Sequence, residues 1–259
     1  MAPPPVNILI LRTGHTHPDL IRSHGDYDRW FTDRMARMGC RFTTHHVPTS
    51  GVPAGAGRDG VLVTGTAASV LEEEDWMLPL MAFFRGLSGE GPPVLAVCFG
   101  AQLAARALGG SVERNPRGWE IGTVEVRVNP AGRDDPLFTG LGERIHVQAT
   151  HEDHIAALPE GARRLAGNDM TPVQAFAHGE RLHAVQFHPE AGAGLLRRLV
   201  HLRRPVLEED LRRRQGLGGK GAGQAVDRIA RAIHSTENGR HLLRNWLTAC
   251  VRNGPPGPR

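Results

Sequence analysis

The 259 residues carry 31 Lys and Arg against 27 Asp and Glu, a formal charge of +4, and 40% of them are hydrophobic. That is enough apolar material for one sizeable packed domain or a domain plus an extension, and the near-balanced charge argues against a polyanion-binding surface. The cysteines Cys40, Cys98 and Cys250 have no metal-ligand spacing and form no disulfide framework, and no apolar run reaches the length of a membrane span.

Met1 to Pro5 holds no basic segment and Val6 to Leu11 is too short for a signal core, so a cytoplasmic location is expected. The same run, Val6 to Leu11, reads as a strand buried on both faces. Arg12 to Asp28 is a polar loop rich in His, Gly and Asp. Trp30, Phe31, Met35 and Met38 then recur at helical spacing before Gly39, a C-cap. Arg41 to Val47 predicts a second strand, and Gly51 to Gly60 a Gly/Pro loop. Gly60 to Thr64 predicts a third strand that runs into Gly65-Thr66-Ala67-Ala68-Ser69-Val70. Glu72 to Arg85 reads as a helix, Pro93 to Val97 as a strand, and Gln102 to Leu108 as the helix behind it. This alternation argues for an α/β domain with a largely parallel sheet.

Between that strand and helix stands Cys98, followed by the small residues Gly100 and Ala101. A sharp strand-to-helix turn lifts a reactive atom clear of the sheet, and the helix N-terminus favours negative charge on sulfur. Bulk at position 100 would collide with neighbouring strands. Downstream, Thr123 to Val128, Ile145 to Ala149, the stretch around Leu165, Val173 to Phe176 and Leu182 to Val185 alternate as antiparallel strands, with a hairpin turn at His178-Gly179-Glu180. They lead to His188-Pro189-Glu190, read as a base followed by its orienting carboxylate.

Beyond Glu190 the composition shifts. Ala193 to Gln215 predicts an arginine-rich helix whose pairs Arg197-Arg198 and Arg203-Arg204, and whose run Arg212 to Arg214, read as a solvated face. Gly216 to Gly223 reads as a flexible linker. Val226, Ile229, Ala230 and Ile233 mark one further amphipathic helix, and Leu242, Leu243, Trp246 and Leu247 another. Gly254 to Arg259 is expected to be disordered. The domain expected from this layout spans residues 6–200, with a helical extension over 201–259 packed on it.

The motifs resemble class I glutamine amidotransferases from about Val6 to Leu196. Cys98-Phe99-Gly100-Ala101-Gln102 matches the family's C-x-G-x-Q, and His188-Pro189-Glu190 its H-P-E. Thr150-His151-Glu152-Asp153 matches S-H-G-D, and Gly65 to Val70 matches G-G-P-x-S-V. The resemblance implies a flavodoxin-like, open and mostly parallel central sheet flanked by helices, with a smaller antiparallel layer. It implies a triad of Cys98, His188 and Glu190 that forms a γ-glutamyl thioester and releases ammonia. It implies oxyanion donors at the backbone N–H groups of Thr66 and Phe99, and glutamine contacts from Gln102, Ala68, Thr150, Glu152 and Asp153. No metal or organic cofactor is implied, and neither nucleic acid nor membrane is an expected partner.

Three departures stand out: Ala96 replaces a common glycine, and Thr66 and Ala67 replace the glycine and proline of the oxyanion loop, which leaves that loop's conformation open. No S-G-G-x-D-S pyrophosphatase signature and no P-loop is present. The chain is therefore most similar to stand-alone, GMP-synthase-like members, a group that includes γ-glutamyl peptidases. Gly25-Asp26-Tyr27-Asp28, Gly118-Trp119-Glu120-Ile121-Gly122 and the segment Gly239 to Trp246 point there. Trp119 has two readings, a cover over the site or a residue packed on the core. The expected activity is glutamine hydrolysis that supplies ammonia to a separate synthase. The alternatives are a free-standing γ-glutamyl hydrolase and a non-catalytic regulatory subunit.

Overall fold

The computed structural model describes residues 4–53, 58–87 and 91–252, except for the side chain of Cys250. The expected disorder of Gly254 to Arg259 and part of the Gly51 to Gly60 loop lie outside those residues. In chain order the elements begin with β1 (Val6–Arg12), α1 (Pro18–His24), α2 (Tyr27–Arg34), β2 (Cys40–His46), α3 (Val47–Ser50) and β3 (Gly60–Val63). There follow α4 (Met77–Arg85), β4 (Val94–Val97), α5 (Phe99–Ala107), β5 (Ser111–Arg114), β6 (Glu120–Val128) and α6 (Pro130–Arg133). The strands β7 (Arg144–His151), β8 (Asp153–Ala157), β9 (Ala162–Gly167), β10 (Ala175–His178) and β11 (Leu182–Val185) come next. The chain then continues as α7 (Ala193–Leu202), α8 (Arg204–Gln215), α9 (Gly219–Ala232) and α10 (Asn238–Asn245), followed by a π-helix at Trp246–Arg252.

One nine-stranded sheet runs in the order β2-β1-β3-β4-β11-β10-β9-β6-β7. From β2 to β11 neighbouring strands are parallel, and from β11 to β7 antiparallel. The antiparallel strands thus extend the central sheet, while β5 and β8 form the small separate pair. Period-two alternation distributes β1 to both faces. Ile8 and Ile10 join one core cluster with Phe31, Leu242 and Trp246, whereas Leu9 and Leu11 join another with Leu80, Phe84 and the α5 alanines. The runs Val61-Leu62-Val63 and Val94-Leu95-Ala96-Val97 are buried throughout, as central parallel strands covered on both faces must be.

Local chemistry moved several boundaries. The polar Arg12 to Asp28 loop contains α1, started by Pro18 in its first turn, where a missing N–H costs nothing. Helix α2 stops at Arg34, short of Met38. The single helix expected over Ala193 to Gln215 is two, because Pro205 in the first turn of α8 cannot continue α7 and the chain bends at Arg203. The expected glycine linker is shorter than its composition implies: Gly216 caps α8 with φ +63°, while Gly219 to Gly223 already form the first turns of α9. Leu207 and Val226 enter a third cluster with Tyr27, Trp30 and Leu196, and Trp246 is fully buried in the first.

At Gly100 the packing is tight enough to test. A Cβ there would lie 3.0 Å from both the carbonyl oxygen and Cγ1 of Val63. Gly100→Ala gains up to about 1 kcal/mol of helix propensity but incurs about 1–3 kcal/mol of overpacking against backbone that has nowhere to go. We expect a net loss of about 1–2 kcal/mol in urea denaturation; a variant more stable than the parent would contradict this contact.

Candidate active site

Cys98 joins the buried end of β4 to α5 with φ +52° and ψ −107°, a positive-φ conformation that a non-glycine residue adopts at a cost of about 1–3 kcal/mol. The surroundings hold it there: its N–H donates to the Val185 carbonyl at 2.8 Å, and β4 is clamped between β3 and β11. The turn places the thiol at the carboxyl ends of the parallel strands, the edge at which open α/β sheets receive ligands. Gly65 leaves room for it, since a Cβ there would sit 3.0 Å from His188 Cε1 and 3.3 Å from Cys98 Cβ.

His188 follows β11, anchored by its N–H to the Gln148 carbonyl at 2.8 Å. Its Nδ1 bonds Glu190 Oε1 at 2.7 Å, and the Glu190 side chain is wholly buried. That bond turns Nε2 away from the carboxylate. Nε2 is buried and closes no hydrogen bond among the described residues. Burial works to lower the imidazolium pKa. The Glu190 carboxylate first, and then the Cys98 sulfur, outweigh it and push the pKa up to about 10. His188 therefore keeps its proton through neutral pH.

A cavity of about 140 Å³ opens in front of the thiol. Drug-sized ligands fill roughly 300–1,000 Å³, so this one suits a small polar molecule. It brings together Cys98 and all seven residues expected to form the oxyanion and substrate contacts: Thr66, Phe99, Gln102, Ala68, Thr150, Glu152 and Asp153. Phe99 opens α5, where a helical N–H has no intrahelical acceptor, and no backbone group among the described residues accepts the Thr66 N–H. The Thr66 side chain, at a position where glycine was the family pattern, is accommodated by Gly14, whose Cβ would fall 2.3 Å from Thr66 Oγ1.

The polar lining is largely engaged with itself. Gln102 Nε2 donates to the Asp153 carbonyl at 2.8 Å and to Gln186 Oε1 at 3.1 Å, which leaves its own Oε1 for a ligand. Gln186 in turn donates to Cys98 Sγ at 3.6 Å, a contact that only the fold reveals because Gln186 sits two residues ahead of His188 on an otherwise apolar strand end. Glu152 pairs with Arg114, and Ser69 Oγ donates to Asp153 Oδ2. Asp153 Oδ1 is buried without a partner among the described residues.

Below the Thr150–Asp153 loop lies a buried contact, His151 Nε2 to Glu120 Oε2 at 3.1 Å. Asn168 donates to Glu120 Oε1 at 2.6 Å and Gln174 to its Oε2 at 2.7 Å. Burial works to raise the Glu120 carboxyl, but His151 and then Thr171 and Asn168 hold it below the usual carboxylate range. A depressed folded pKa stabilises the fold above the unfolded value and loses that contribution as pH falls through the folded one. Glu120→Gln should therefore cost about 1–3 kcal/mol near neutrality, since the buried amide donors lose a charged acceptor, with the two proteins' denaturation midpoints converging below pH 4.5. A constant gap down to strong acid would show that the Glu120 charge contributes nothing.

Trp119 answers both of its sequence readings: it lines the cavity, and it also packs against the third core cluster. Arg203 was hidden in what read as a solvated Arg203-Arg204 face. Arg204 does pair on the surface, with Glu208 and Asp227, but the bend at the α7–α8 junction turns Arg203 into the cavity. Pro205 was the available signal.

A model of the family described as glutamine amidotransferase class-I matches residues 20–200. A glutamine-hydrolysing GMP synthase of Thermotoga sp. strain RQ2 is 39% identical over 132 residues, which are 51% of this chain and 24% of that protein. One from Wolinella succinogenes is 32% identical over 191 residues, 71% of this chain and 33% of its own length. The chain thus spans between a quarter and a third of these synthases. Among solved structures, a glutamine amidotransferase of Thermotoga maritima superposes with a TM-score of 0.68 at 22% identity, covering 95% of this chain and 98% of that one. One from Methylobacillus flagellatus gives 0.68 at 21%, covering 95% of each, and both show the shared fold.

Proposed function

The chain belongs to the class I glutamine amidotransferase family, and on that premise we propose that it hydrolyses the γ-amide of glutamine through a thioester on Cys98. One observation carries the reading. A strained thiol faces a histidine that is held protonated by a buried carboxylate, at the mouth of a cavity sized for a small polar molecule.

In this mechanism Cys98 Sγ attacks the amide carbon as a thiolate, its proton already resting on His188, while the N–H groups of Thr66 and Phe99 receive the developing oxyanion. Such a donor contributes about 3–4 kcal/mol to the barrier reduction. His188 gives its proton to the departing nitrogen, the carbon–nitrogen bond breaks, and ammonia leaves. A water then attacks the thioester as His188 takes its proton, which releases glutamate and restores the sulfur. Glu190 holds the ring and balances the imidazolium charge. Gln102 Oε1 and the Thr150–Asp153 loop, with Ala68 at the rim, would hold the amino-acid end of the substrate.

The ammonia would be taken up by a synthase activity outside these residues, a reading supported by the GMP synthases that the chain partly matches. The small cavity favours glutamine over bulky γ-glutamyl conjugates. The test is product analysis of the purified chain with glutamine and with γ-glutamyl dipeptides. Equimolar ammonia and glutamate from glutamine, released faster in the presence of a GMP synthetase subunit, is the expected result. Efficient dipeptide cleavage with no glutamine turnover would replace this reading with a peptidase.

A further inference from the structure

Among the cations at the cavity wall, Arg114 is engaged by the Glu152 carboxylate, whereas Arg203 has no carboxylate partner among the described residues. Among the described residues, both side-chain hydrogen bonds of Arg203 leave from Nη1 and both go to Thr150, to Oγ1 and, at 3.5 Å, to the carbonyl. The Nη2 and Nε edge of the guanidinium, the fork that grips a carboxylate with two bonds, is left open. The cation lies over the Trp119 ring, with Cζ 5.2 Å from its centroid, a contact that holds the guanidinium at the cavity wall. Trp119 Nε1 is itself a buried donor with no acceptor among the described residues.

Helix α8 builds this arrangement. Arg203 sits at its N-terminal bend, and in its last turn Arg214 donates to the Pro116 carbonyl at 2.7 Å, pinning the loop that carries Trp119. Asp210, between them, holds Arg213 and Arg214 and packs against Gly118, where a Cβ would come within 2.5 Å of its carboxylate. Arg203 and the reacting Cys98 line the same cavity.

We propose that Arg203, stacked on Trp119, is a specificity-determining residue that receives the α-carboxylate of the glutamyl substrate. The proposal rests on the glutaminase reading and extends it: two unengaged donors meet at one wall of a cavity that contains the Cys98 thiol, as one free carboxylate requires. It also gives α8 a part in substrate selection.

Binding separates this proposal from the chemistry. Calorimetry on Cys98→Ala protein would compare L-glutamine with its α-carboxamide, which lacks only the carboxylate charge. The expected result is about 100-fold tighter binding of glutamine, as for a desolvated charge pair. In Cys98→Ala/Arg203→Met glutamine should fall to the level of the carboxamide, whose own affinity is unchanged. Cys98→Ala/Arg203→Lys should recover part of the preference, because it keeps the charge without the fork. Equal binding of both compounds before Arg203 is altered, a preference that survives Arg203→Met, or parallel losses for both compounds would each overturn the assignment. Failure of the glutaminase reading would show elsewhere, as absence of an acyl group on Cys98 in the unaltered protein.

Discussion

Cys98→Ala is expected to lower glutamine hydrolysis by about 10⁵–10⁶-fold, since deleting the nucleophile of a triad costs about as much as deleting all of it. What would persist is the contribution of the Thr66 and Phe99 N–H groups and of substrate positioning, of the order of 10³–10⁴ over the uncatalysed reaction. The fold should be unaffected. Alanine meets the same positive φ that cysteine does, and the N–H to Val185 that fixes the turn belongs to the backbone. Unchanged urea denaturation together with lost ammonia release is the combined outcome to look for. Cys98→Ser should be nearly as inactive, because a hydroxyl is a weak nucleophile unless a general base removes its proton, and His188 is held protonated.

Glu190→Gln should lower kcat/KM by about 10³–10⁴-fold, the loss seen when the orienting acid of a serine triad is made neutral. Burial opposes the charge on His188, and the Glu190 carboxylate is the largest influence that overcomes it. With that charge gone the histidine pKa falls. The alkaline limb of the pH–rate profile, near pH 10 in the unaltered protein, should then move to lower pH.

Stability follows the same sign. A folded pKa of about 10 against an ordinary 6.5 gives a contribution fully present below 6.5 and lost as pH rises through 10. The variant should therefore be less stable than the parent across neutral pH, and the gap should narrow in alkali. An alkaline limb that stays in place would mean that Glu190 holds the ring by geometry alone.

Much of this was legible in the residues because the chemistry constrains them locally. Pro93 to Val97 reads as a strand, and Val94 to Val97 is one, covered on both faces, and the expected collision of bulk at position 100 with neighbouring strands is with Val63. The seven cavity residues cluster as their motifs imply, since each motif ends a strand or begins a helix at one sheet edge. What stayed illegible depended on long-range placement. Arg203 is indistinguishable from its neighbour Arg204 by composition, and only the bend before Pro205 turns one inward and leaves the other on the surface. The Gln102–Gln186–Cys98 relay joins residues from α5 and the end of β11 that no spacing connects. The glycines at 219, 221 and 223 joined a helix against their propensity because Ala222, Ala225 and Val226 bury a face beside α7 and α8.

The most direct test of the account is to mix the protein with glutamine, quench in acid during turnover, and map the acylated peptide by mass spectrometry. The account predicts one γ-glutamyl group, on the peptide that contains Cys98, labile to hydroxylamine and absent from Cys98→Ala. Turnover of glutamine with no acyl group on Cys98, or with the group on another residue, would contradict it.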